Sequence, residues 1–218
     1  MSNGDLDPSG KCALCPRLAA FRNDNRTAWP DWFNAPVPAF GSLNARLLVV
    51  GLAPGLRGAN QTGRPFTGDY AGDLLYATLA RFGFTEGTYG RTADDGLTLR
   101  DCRITNAVRC VPPENKPVAA EINVCGSFLE REIAAMSRLA VIVVLGTVAH
   151  GATLAALGQR KSAWRFGHGA RHELPNGIVL ADSYHCSRYN TNTGRLTEDM
   201  FHAVFAGVRG LLDSGDSR

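Results

Sequence analysis

Four short apolar runs, each closed by turn-like residues, constrain this chain more than any other feature. They lie at 46–51 (RLLVVG), 102–108 (CRITNAV), 140–146 (AVIVVLG) and 178–183 (IVLADS). Three are rich in β-branched residues and almost continuously hydrophobic, which is how strands buried on both faces read. Helical periodicity fills the gaps, over about 72–82, 117–139, 147–157 and 197–212. Pro117 suits a helix start. Thr197, with Glu198 and Asp199 behind it, suits a helix N-terminus. Strands alternating with helices predict an α/β fold: a mostly parallel, four-stranded sheet covered on both faces.

The chain has 218 residues, which fits a single domain over 1–218. No internal repeat is found. Residues 1–40, with a cysteine pair and several prolines, predict an irregular lead-in wrapped onto the domain. The tail from 213 to 218 is expected to be flexible. The N-terminus lacks an apolar signal core, and the longest apolar run, near 139–146, is too short to span a membrane. A cytoplasmic protein is the expectation.

In a parallel sheet, ligands bind beyond the carboxyl ends of the strands. Three loops lie there: GLAPGLRGANQTGRPFTGDYAG, VRCVPPENKP and YHCSRYNTNTGR. The first is no phosphate loop, since it lacks G-x4-G-K-[ST] and a G-x-G-x-x-G in register with a helix. It does offer a backbone that a ligand can approach closely, an aromatic ring at Phe66 and a carboxylate at Asp69 before a helix. Asp69 also reads simply as that helix's N-cap, and Phe66 as core packing. Asn106, at a strand end, carries a donor and an acceptor for a heterocycle edge, or else serves a turn. His185 stands at another strand end beside a loop rich in Ser, Asn and Thr, a place where functional residues concentrate.

Cytoplasmic cysteines are seldom disulfides, and the chain has six. Cys12 and Cys15 form C-x2-C, while Cys110 and Cys125 follow far downstream. The spacing fits Zn2+ and an iron–sulfur cluster alike, with buried free thiols as the plainer reading. It is unlike the compact runs of ferredoxins, which disfavours an electron carrier. Cys102 opens a strand and reads as packing. The stretch 159–195 holds six Lys and Arg against two acidic residues, which fits either a face for an acidic polymer or a solvated basic loop.

Taken together, GLAPGLRGANQTGRPFTGDYAGDLL, TNAVRCVPP and SYHCSRYNTNTGRLT resemble the three signatures of the uracil-DNA glycosylase superfamily, in its family five, or type b. The four cysteines match that family's cluster pattern, and the resemblance runs from about Cys12 to the C-terminal helix. It implies a three-layer α/β/α fold and a [4Fe–4S] cluster on Cys12, Cys15, Cys110 and Cys125. It further implies a DNA repair glycosylase that hydrolyses the N-glycosidic bond of uracil, or other deaminated bases, to leave an abasic site. Asp69 and His185 would be catalytic. Phe66 would stack on the base and Asn106 would read its edge, with Gly51, Leu52, Ala53 and Pro54 lining the pocket. Ser187, Arg188, Tyr189, Asn190 and Arg195 would face DNA, with Tyr189 as a wedge or stacking group. A monomer acting on DNA is the expected assembly. The chain departs from the commoner His-Pro-Ser form at Cys186, and the loss of proline predicts a looser turn after His185. A non-catalytic iron–sulfur or zinc nucleic-acid-binding module is the alternative, but it has no need of both Asp69 and His185.

Overall fold

The structure is a computed structural model that describes residues 6–215. Four parallel strands form its centre: β2 (Leu47–Gly51), β5 (Cys102–Asn106), β6 (Val141–Leu145) and β8 (Val179–Ser183). Two short antiparallel strands, β1 (Phe40–Gly41) and β7 (Arg171–Glu173), extend the edges to six, in the order β1-β5-β2-β6-β8-β7. The sequence predicts only the central four. The edge strands are two and three residues long, too short for alternation to register.

Side-chain alternation along each strand builds two cores. Leu47 and Val49, Ile104, Val141 and Val143 pack on one face under α3 (Tyr70–Arg81) and α7 (Glu198–Gly215). Leu48 and Val50, Ile142 and Val144 pack on the other under α4 (Ala119–Ala135) and α5 (Thr147–Ala156). Three α/β/α layers result. Charge replaces apolar contact at one place on the second face. There Arg103 of β5 and Arg109 both pair with Glu132 of α4, and Arg109 also reaches Asp7. A buried charge is tolerable only when paired in this way.

The helix termini follow local chemistry. Glu121 accepts from the Val118 N–H at 2.9 Å, so α4 begins after Pro117 rather than at it. Thr197 Oγ1 accepts from Met200 N at the start of α7. That helix continues to Gly215, so 213–215 belong to α7, and 216–218 lie outside the described residues.

The lead-in is also not irregular throughout: Pro16–Ala28 forms α1. Its buried positions are Leu18, Arg22 and Asn25. They share one helical face, but two of the three are polar, so hydrophobic periodicity cannot reveal it. Further along, β3 (Thr85–Glu86) pairs with β4 (Thr98–Leu99) in a small separate sheet, and α2 (Ala59–Thr62) is a single turn in the glycine-rich loop. No described helix is long and apolar enough to cross a membrane.

Candidate active site and cysteine centre

A cavity of about 590 Å3 opens at the carboxyl ends of β2, β5 and β8. That volume suits a small ligand such as a single base. Leu52, Ala53 and Pro54 line it from the loop after β2, Asn106 from the end of β5, and His185 from the loop after β8. Phe66 and Asp69 enter from the glycine-rich segment before α3. Five parts of the sequence reading thus converge. Gly51 does not line the cavity but lies beneath it. A Cβ there would stand 2.5 Å from Phe66 Cζ and would also overlap Asn106 Oδ1, so only glycine lets both groups sit at this depth.

Phe66 is held with φ at +54°, a strained setting for an aromatic residue. Its neighbours enforce it. Tyr76 donates to Pro65 O at 2.7 Å, Tyr89 donates to Phe66 O at 3.2 Å, and Arg64 donates to Thr67 Oγ1 at 2.8 Å. Arg64 is anchored in turn by a buried bidentate pair with Asp95, both contacts 2.7 Å. The guanidinium holds the Asp95 carboxyl well below its usual range. Strain that is fixed by its surroundings is typical of functional loops.

Asp69 has two tasks. Its Oδ1 accepts from Gly72 N at 3.0 Å and caps α3. Its Oδ2 packs against Gly55, where a Cβ would stand 3.1 Å away, and Gly58, where one would overlap. Burial, reinforced by Asp73, raises its pKa against the Gly72 hydrogen bond. Asp69 is thus both the N-cap of α3 and part of the cavity lining.

His185 faces Phe66, with ring centroids 6.0 Å apart and planes 28° from parallel. Burial pushes its pKa down to about 4, so the ring is neutral at physiological pH. An NMR titration is expected to give a midpoint near 4 for His185 rather than 6.5. A folded pKa below the unfolded one means that this group supports the fold above pH 6.5, and that the contribution is lost as pH falls towards 4. A midpoint above 6 would contradict the burial.

The turn after His185 is fixed, not loose. Cys186 is fully buried, and its thiol donates to Ala71 O at 3.4 Å in the first turn of α3. Asn190 turns inward as well, donating through Nδ2 to His185 O at 2.8 Å. Its amide nitrogen therefore positions the histidine loop instead of facing outward. Ser187 caps α6 (Arg188–Asn192), and both Ser187 and Arg188 line the cavity mouth. Tyr189 is 73% exposed. Arg195 stacks over Tyr184 at 4.7 Å, away from the lining.

Sequence reasoning missed Arg57, Arg91 and Asn115 in the lining. Arg57 was visible within the glycine-rich segment. Arg91 and Asn115 come from turns with positive φ that carry no periodic signal. The basic stretch divides. His172 and His150 turn inward to opposite oxygens of Asp182, at 3.2 and 2.7 Å, and His150 Nε2 meets Trp164 O at 2.9 Å. His168 Nδ1 accepts from Tyr184 N at 3.1 Å. These rings brace β8, and only His185 reaches the cavity.

Next to the cavity, with Ala53 packed against both, Cys12, Cys15, Cys110 and Cys125 line one small enclosure walled by Leu14, Leu18, Val108 and Phe128. None of them is in a disulfide. Burial pushes Cys110 up to about 11 and raises Cys15 and Cys125, with neighbouring thiols adding to the rise. Four such sulfurs can be thiolates together only if a cation compensates them. Two donors point at sulfur: Arg109 N to Cys125 Sγ at 3.3 Å and Arg22 Nη1 to Cys110 Sγ at 3.4 Å. The donor set suits a thiolate-bound metal group. Cys102, buried at the start of β5, belongs to the core.

Comparison with known proteins agrees with this layout. Residues 38–209 match the family described as the Uracil DNA glycosylase superfamily. The chain is 46% identical over 206 residues to a type-5 uracil-DNA glycosylase of Thermus thermophilus, covering 92% of this chain and 93% of that one. A protein of the same name from Mycobacterium leprae is 42% identical over 210 residues, covering 92% and 91%. One from Pyrobaculum aerophilum is 40% identical over 211 residues, covering 94% and 89%. A parallel sheet, a cavity at its strand ends and relatives matched nearly end to end have one common account: the chain belongs to the uracil DNA glycosylase superfamily, on its type-5 branch.

Proposed function

We propose that this protein excises uracil from DNA by hydrolysing its N-glycosidic bond. The observation that carries the reading is the meeting of Phe66, Asn106, Asp69 and His185 in one base-sized cavity. A glycosylase must flip the nucleotide out of the stack and read the base by stacking and edge contacts. Phe66 supplies the stacking face. The Asn106 amide matches the N3–H and O4 of uracil with an acceptor and a donor. As the bond breaks, uracil leaves with negative charge and the sugar becomes cationic. The neutral imidazole of His185 donates towards O2, where that charge collects. Asp69 Oδ2 faces the sugar side, where a carboxylate both stabilises the cation and orients the attacking water. The pKa of about 4 makes the neutral donor available throughout the working pH range.

Arg188, Arg57 and Arg91 surround the mouth and suit phosphate contacts, with Tyr189 beyond them as the exposed wedge or stacking group. Arg188 lies over the Tyr70 ring at 5.4 Å, which orients its guanidinium. Arg188→Ala should flatten the dependence of log affinity on log salt by about one counterion. An unchanged slope in a fluorescence titration would remove Arg188 from the phosphate contacts.

The cysteines are read as ligands of a [4Fe–4S] cluster, supported by the matching four-cysteine pattern and the sulfur-directed donors. When bound, the group supplies a structural cross-link between α1, the loop after β5 and α4. The protein is read as a cytoplasmic monomer acting on DNA. Incubation with a uracil-containing oligonucleotide should yield abasic sites that cleave in alkali. Intact strands at all enzyme concentrations, with DNA still bound, would instead favour the non-catalytic module.

A further inference from the structure

Four arginines are buried among the described residues: Arg22, Arg64, Arg103 and Arg109. Three have carboxylate partners, in Asp95, Glu132 and the Asp7–Glu132 pair. Arg22 has none. It is 4% exposed, its Nη2 donates to Cys12 O at 2.7 Å and its Nη1 to Cys110 Sγ at 3.4 Å, and its buried Nε has no partner. Burying a guanidinium without an anion is strongly unfavourable. The fold repeats its solution three times and omits it once, beside four clustered cysteines. The missing anion must therefore come from that cluster of thiols.

We propose that Arg22 is the built-in counter-cation of the cysteine-bound cluster and sets its reduction potential. This rests on the cluster reading above. A [4Fe–4S]2+ core with four thiolates is dianionic, and gaining one electron makes it trianionic. A fixed positive charge in contact with one ligand sulfur stabilises the reduced form more than the oxidised form. The hydrogen bond to Cys110 Sγ acts in the same direction, because it withdraws charge from the ligand. Arg22 also ties the early cysteine pair to the later one, holding the Cys12 carbonyl and the Cys110 sulfur with one planar fork. It is thus a positioning and tuning residue for the cluster and does not line the base-binding cavity.

The test uses anaerobically purified holoprotein as wild type, Arg22→Lys and Arg22→Gln, with iron and sulfide measured for each. Redox titration of the accessible one-electron couple should show Arg22→Gln less readily reduced by about tenfold or more in equilibrium constant, equivalent to about 59 mV. Arg22→Lys keeps the charge and should remain close to wild type. Iron release to a chelator should be faster in Arg22→Gln and largely restored in Arg22→Lys. Should Arg22→Gln fail to retain iron, recovery of iron content in Arg22→Lys supports the counter-charge, and equal loss in both variants overturns it in favour of packing. Iron-loaded Arg22→Gln with the wild-type potential and release rate overturns the proposal alone. Wild-type protein that binds zinc, or no metal, overturns the cluster reading itself and the proposal with it.

Discussion

His185→Ala should lower single-turnover release of uracil by roughly 10²–10³-fold, the usual cost of losing one preorganised donor to a developing oxyanion. DNA affinity should stay close to wild type, because the contact strengthens only as charge moves onto O2. The geometry adds a control. The loop carrying His185 is held independently by Asn190 and by the Cys186–Ala71 contact, so removing the imidazole leaves the backbone in place. Asp69→Ala should fall as far, but it also deletes the cap of α3, at about 1 kcal/mol of stability. Asp69→Asn separates the two effects: asparagine caps as well as aspartate and can still orient a water, but it carries no charge. Much residual activity in Asp69→Asn would assign the carboxylate to water orientation, whereas a fall to the alanine level would assign it to the sugar cation. Wild-type rates in both His185→Ala and Asp69→Ala would refute the site.

Cys110→Ala should bleach the protein and lower its melting temperature on the order of 10 °C. The free energy of a structural metal group is folding free energy, and each kcal/mol moves the midpoint of a chain this size by ~2–4 °C. On the proposed cluster the loss should be large, because the four cysteines come from separate elements. Cys15 is the N-cap of α1, Cys110 follows β5, and Cys125 lies in α4. On the same proposal, losing the group leaves Arg22 a buried cation without an anion. A colourless variant with the wild-type melting temperature would sink the structural role.

The central sheet was legible because its four strands are buried on both faces, and such strands leave nearly continuous apolar runs. The cavity was legible for a related reason. A parallel sheet gathers its strand-end loops on one edge, so Asp69, Asn106 and His185 could be placed together without knowing any distance. The cysteine pairing was legible only as a pattern of chemistry, since nothing in the spacing of Cys12 and Cys110 states that their segments touch.

What the sequence determined by itself was the α/β order of elements, the strand ends and the residue types available there. Tertiary structure alone decided the rest. Helix α1 escaped notice because two of the three residues on the face it buries, Arg22 and Asn25, are polar, and Arg22 finds its partners outside the helix, at Cys12 O and Cys110 Sγ. The turn after His185 reads as loose by local rules, yet it is fixed because the first turn of α3 places Ala71 O within reach of the Cys186 thiol. Asn190 looks like a surface contact in sequence, but its Nδ2 turns back onto His185 O, five residues earlier in the same loop. Arg22 and Cys186 share one physical cause. Hydrophobic periodicity is a local signal proportional to area removed from water, whereas the satisfaction of a buried polar group depends on where another segment places its partner.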